Sequence, residues 1–256
     1  MNKNGYFCRK LRLCMNKMLL KSADDLEERI LEVGFLPYFA GDIHGFSVEE
    51  MTWPKILWDD ENGPWIWKGE ITRRLNCAYG KFCKRRAAYI SLDILPYFIA
   101  YRRYIYSNYN KTSSLETDRK ILGLIREHES LLTGELKKLA GYTRPRAHRL
   151  TPLEDLTQID ARKHKAADAG FDSAMARLQM AGYVVIADFE YNYDKEGNRR
   201  GFGVARYTTP EALYGNDIAC LRGVNPWVAY ERIISHLENL HFPGANRKLF
   251  DKLISF

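Results

Sequence analysis

The stretch Phe171-Asp172-Ser173-Ala174-Met175-Ala176-Arg177-Leu178-Gln179-Met180-Ala181, followed by Gly182 and Tyr183–Tyr193, decides the fold. Phe171, Met175 and Leu178 recur at helical spacing, and Gly182 is placed to stop the helix. Tyr183–Tyr193 is rich in β-branched and aromatic residues, contains no proline, and predicts a strand. Asp194-Lys195-Glu196-Gly197-Asn198 predicts a hairpin turn, because Gly and Asn tolerate positive φ. Phe202–Thr208 is the returning strand, ended by Pro210. Upstream, Thr133–Ala140 reads as a short helix with Thr133 as N-cap, Leu136 and Leu139 on one side, and Gly141 at its end. Asp118–His128, with Ile121, Leu124 and Ile125 inward, is the helix before it. This is the order of a winged helix-turn-helix, with Phe171–Ala181 as recognition helix and Arg199-Arg200 on the wing.

Working outward, the expected fold class is α+β, mainly α: tandem winged helix-turn-helix domains with small β-hairpin wings. An aromatic-rich helical or winged-helix-like domain takes residues 18–110. A winged helix takes 117–215 and carries a basic insertion at 142–165, and a helical buttress takes 216–256. The polar run Asn108–Thr117 is the expected boundary. In the N-terminal part, Asp24–Val33 predicts a helix with Leu26, Ile30 and Val33 as its stripe and Gly34 as its stop. Phe35–Phe39 is too apolar for a solvated loop. Ser47-Val48-Glu49-Glu50 has the capping pattern of a short helix. Pro64–Gly69, read as extended, puts Trp65 and Trp67 on one face and Lys68 on the other. Ser91–Tyr106 predicts a helix kinked at Pro96. Asn225–Leu240 predicts an amphipathic helix with Asn225 as cap and Pro226 at its first position.

The chain has 256 residues, a formal net charge of +7, 46% hydrophobic and 28% charged content, which is globular and favours a polyanionic partner. Its five cysteines are scattered without C-x-x-C spacing. That argues against a disulfide framework or a zinc site and for a reduced, cytoplasmic setting. No apolar run reaches the ~18 residues needed to span a bilayer, and no signal-peptide core follows the basic N-terminus. Residues 1–17 read as a mis-assigned start, with Met15 or Met18 as the real one.

Standard catalytic signatures are absent: there is no G-x-S-x-G elbow, Walker loop or H-E-x-x-H, and neither metal nor cofactor is expected. One acid–base cluster stands out, Asp42, His44, Glu49 and Glu50, which also reads as caps and loop charges. The run Arg73, Arg74, Lys81, Lys84, Arg85, Arg86 interleaves positive charge with aromatics, as a backbone-tracking groove with stacking rings would.

Two blocks resemble a known family. Ala78-Tyr79-Gly80-Lys81-Phe82, continuing through Ala88–Tyr97 to Arg102-Arg103, is similar to a segment of bacterial winged-helix DNA glycosylases of the AlkZ/YcaQ type. Ala176–Val185, followed by Ala205-Arg206-Tyr207-Thr208-Thr209-Pro210-Glu211, resembles their later winged helix. The resemblance covers roughly Leu26 to Gly215. It implies tandem winged helices, a double-stranded and damaged DNA partner, and hydrolysis of N-glycosidic bonds. That family's catalytic Gln-x-Gln or Gln-x-Asp pair would fall within Val33–Phe39, where Pro37 and Phe39 stand instead. Neither can position a water or stabilise an oxocarbenium ion.

The resulting expectation is a DNA-binding relative of repair glycosylases, without the family's catalytic pair. Trp65, Trp67, Lys68, Tyr79, Lys81, Arg102, Arg103, Ser173, Arg177, Gln179, Arg199 and Arg200 are the expected nucleic-acid contacts. Two alternatives stand beside it: an active alkyl-base glycosylase using Asp42, Glu49 or Glu50, and a winged-helix regulator or protein-interaction scaffold.

Overall fold

The computed structural model describes residues 19–59, 61–109, 112–142, 170–197, 199–219, 221 and 223–256. The first 17 residues, and the basic insertion from 143 onward, lie outside these. Helix α1 (Ala23–Val33) starts where Ser22 Oγ accepts from the Asp25 N–H at 3.1 Å. Its stripe of Leu26, Ile30 and Val33 is fully buried. Gly34 ends it at φ 76°, and a Cβ there would lie 2.7 Å from His236 Nε2. Strand β1 (Phe35–Pro37) follows, buried at all three positions, and α2 (Val48–Met51) carries the expected cap, Ser47 Oγ accepting from the Glu50 N–H.

The segment Pro64–Gly69 is helical, not extended. It opens α3 (Pro64–Arg74), with Gly63 as N-cap and Pro64 in the first turn. Proline has no N–H to lose there and a φ already suited to a helix. Trp65 and Trp67 therefore splay apart, and Lys68 turns inward. Strands β2 (Cys77–Cys83) and β3 (Arg86–Ser91) form a hairpin. Helix α4 (Leu95–Tyr109) starts later than expected, since Ser91 ends β3, and it is not kinked at Pro96: the proline sits in the first turn, where it has no hydrogen bond to interrupt. Helix α5 (Thr112–Glu127) starts earlier than the acid at 118 suggests.

A short strand β4 (Ser130–Leu132), invisible in the sequence pattern, precedes α6 (Thr133–Leu139). Leu132, not Thr133, occupies the N-cap of α6, and the Thr133 hydroxyl instead donates to Ala205 O. Leu136 is buried but Leu139 is 45% exposed, so the two do not share a buried side. Helix α7 spans 170–180. The returning hairpin is β5 (Val185–Tyr193) and β6 (Arg199–Thr208). The second strand begins at Arg199, so both arginines are in the ladder rather than on the tip. Helices α8 (Pro210–Tyr214), α9 (Asn216–Ala219), α10 (Pro226–Glu238, capped by Asn225) and α11 (Arg247–Ile254) complete the chain.

Among the described residues, six strands form one antiparallel sheet in the order β1-β3-β2-β5-β6-β4. The hairpins are therefore not separate small wings. They meet edge to edge where Tyr79 pairs with Ile186. The order is symmetric about that seam: each half contributes a hairpin plus a short strand laid against its outer member. The larger core lies between the sheet, α1, α3, α4 and α10. A smaller one joins α5, α6 and α7 through Ile121, Ile125, Leu136, Phe171, Met175 and Leu178. Among the described residues, no helix is long and apolar enough to cross a membrane.

Candidate nucleic-acid interface

The β2–β3 hairpin turns on two residues, Lys84 at φ 46° and Arg85 at φ 65°. A two-residue turn of this hand favours Asn-Gly, since a side chain at positive φ is strained. Here both positions carry long cations, with Arg86 next in β3 and Lys81 exposed on β2. The tip is braced on two sides. Arg85 Nη2 donates to Ser173 Oγ of α7 at 2.9 Å, and Lys84 Nζ lies 3.0 Å from Asp42 Oδ2.

Beside the tip opens a cavity of about 320 Å³. Pro37 and Phe39 line it, together with Asp42, Cys83, Lys84 and Arg86, and Leu249 and Leu253 of α11 close its far wall. The Cys83 thiol is pushed up by burial, so it is a neutral part of the wall. Asp42 is the acidic residue of the lining. Hydrogen bonds from Lys252 and Lys84 hold its carboxyl below the usual carboxylate range. It is therefore an ionised base, not a proton donor.

The other two acids are committed to the loop. Glu49 Oε2 accepts from the Ala40 N–H at 2.8 Å. Glu50 accepts from the Gly45 N–H and from Ser47 Oγ, and His44 Nδ1 lies 3.0 Å away. Both act as caps. Among the described residues, no group of three His, Cys, Asp or Glu is placed to hold a metal.

The remaining expected contacts divide by burial. Lys81 is exposed at the hairpin. Trp67, Lys68 and Tyr79 are 6%, 3% and 4% exposed. They cannot receive a stacked base, because α3 and the sheet close over them. Trp65 is half-buried against Tyr38 and Lys68. Arg102 is fully buried, donating to Phe82 O and stacked over Phe98. Arg103 joins Glu211 and Gly182 O.

Helix α7 does not present a reading face. Gln179 is fully buried, accepting from the Lys81 N–H and donating to Met175 O. Arg177 makes two hydrogen bonds to the buried Asp118, and Ser173 is bonded by Arg85. Polarity marked this face as exposed, but α5 and the β2–β3 hairpin cover it. Arg199, half-buried, stacks over Tyr191 at 4.7 Å. The side chain of Arg200 lies outside the described residues. Lys252, whose ammonium lies 2.9 Å from Asp42 Oδ2, stands on a helix that the sequence pattern marks only as a buttress. The tip Lys84-Arg85-Arg86 was visible as a basic run, but nothing local showed that it is the part left exposed.

The profile of the AlkZ-related family matches residues 20–255. Among solved structures, the Streptomyces sahachiroi DNA glycosylase AlkZ shares this fold. The TM-score is 0.53 at 11% identity, over 96% of this chain and 58% of that one. The chain thus spans little more than half the length of that enzyme. No curated protein matches it. The family profile covers nearly the whole sequence, and the chain therefore belongs to the AlkZ-related family.

Proposed function

We propose that the chain is a DNA-binding relative of repair glycosylases that grips the phosphate backbone with its first hairpin and lacks the family's hydrolytic pair. The observation that carries this is the cavity wall. Pro37 and Phe39, which stand where a catalytic polar pair would, face the same cavity that the basic tip overhangs. Two units of helix, strand, further helix and hairpin joined at a sheet seam support reading the halves as tandem winged helices. Lys81, Arg85 and Arg86 are the backbone contacts, and α7 has become a structural wedge.

The test is binding and base release measured together on alkylated duplex DNA. Binding is expected to weaken by roughly 40-fold between ~50 and ~200 mM salt for three phosphate contacts, with no free base released. Salt-insensitive or absent binding would put the protein-interaction reading in front. Release of base that disappears in Asp42→Asn would establish the second reading, an active glycosylase, which Asp42 favours by lining the cavity.

A further inference from the structure

Lys84 and Lys252 lie far apart in sequence, yet both ammonium groups converge on one oxygen, Asp42 Oδ2, at 3.0 and 2.9 Å. Two cations brought this close repel one another unless an anion sits between them. Each of the three side chains is about half exposed, 42% for Lys84, 58% for Lys252 and 45% for Asp42. The cluster therefore opens to a ligand much larger than an ion. Arg86 flanks it, its guanidinium reaching only a long 3.5 Å contact with Ala40 O. The turn that carries Lys84 independently marks the place. A glycine at φ 46° would be free of strain, so a lysine there is held against the backbone's preference.

We infer that Lys84, Lys252 and Arg86 form a phosphodiester-binding site bridging the first hairpin and α11, and that Asp42 fills this site in the free protein as an internal stand-in for a DNA phosphate. The inference rests on the DNA-binding reading above and deepens it. A phosphodiester matches the plug: one negative charge shared over two free oxygens, able to take both ammonium groups at once. When backbone enters, Asp42 swings aside, and the cavity behind it opens to the strand. DNA thus exchanges one anion for another, and the free protein keeps its cation pair in position without stray counter-ions.

The experiment is duplex-DNA binding by fluorescence anisotropy across a salt series. It uses the full chain as wild type, Asp42→Asn, Lys252→Ala, the double variant, and Asp188→Asn as a charge-matched control. Asp188 pairs with Arg73, away from the cluster. Asp42→Asn is expected to bind about five-fold tighter, with a salt slope steeper by up to about one, because no freed carboxylate takes up a counter-ion when the ammonium groups pass to the phosphate. Lys252→Ala alone should change affinity by less than about two-fold, because its ammonium is already occupied. In the Asp42→Asn background the same change should erase much of the gain, a non-additivity that a general charge effect does not produce.

An equal gain in Asp188→Asn, or additive effects in the cycle, overturns the plug. Wild type binding with salt dependence while Asp42→Asn binds no tighter overturns it too, and leaves the DNA-binding reading standing. No binding by wild type or Asp42→Asn, with both folded by circular dichroism, removes the DNA-binding reading and the plug with it.

Discussion

Asp118→Ala is expected to cost about 3–5 kcal/mol of unfolding free energy, the range for breaking a buried ion pair from one side. Asp118 is 1% exposed and serves three donors: Arg177 Nε and Nη2 at 2.9 and 2.6 Å, and the Tyr106 hydroxyl at 2.8 Å. Removing it leaves a guanidinium and a phenol facing a void between α4, α5 and α7. This pairing is what ties α7 down, so the loss should also appear as faster amide exchange along 170–180. Urea denaturation monitored by tryptophan fluorescence measures the first effect and hydrogen exchange the second. A cost below about 1 kcal/mol would mean that Arg177 is free to leave α5, and would revive it as a nucleic-acid contact.

Lys68→Met is expected to act in the opposite direction, stabilising the protein near pH 7 by roughly 3 kcal/mol. Lys68 Nζ lies 3.5 Å from the Trp65 ring centroid and 4.4 Å from that of Phe189. Burial, and secondarily the charge of Arg199, bring its pKa from 10.5 down to about 8. The cation–π contacts offset only part of the desolvation cost.

For a lysine depressed on folding, the unfolded chain binds more protons between the two pKa values, so wild-type stability rises with pH across that window. The advantage of Lys68→Met should therefore be full below about pH 8, shrink between about 8 and 10.5, and vanish above. Denaturation of the two proteins across this range checks it. A difference that does not change with pH would refute the buried-amine account.

These two residues show where the sequence is readable and where it is not. The stripes of α1 and α7, the cap at Asn225 and the β5–β6 hairpin rest on local spacing and turn chemistry, and they are as expected. Lys68 and Gln179 were assigned outward because of their residue type. Their burial is decided by partners distant in sequence, Phe189 of β5 for one and Lys81 of β2 for the other. The helix at Pro64–Arg74 had a local signal, Gly63-Pro64, which the pair of tryptophans obscured. The meeting of Lys84 with Lys252 at Asp42 has no local signal, because it depends on where α11 docks. Charge along a chain shows which residues are basic, and only packing decides which remain free to act.

The seam at Tyr79 and Ile186 has a consequence for how the chain can be divided. Strands β2 and β5 each have a hairpin partner on one side and only the other half of the molecule on the second. A fragment ending near residue 109 would leave β2 without its pairing at Tyr79, and without the partners of the Lys81 N–H and Cys77 O, on a strand buried at six of its seven positions. Such an edge recruits whatever strand is nearest, and in a concentrated solution that is another copy of itself. The halves thus cover each other's inner strand edge, and separating them turns a covered edge into a template.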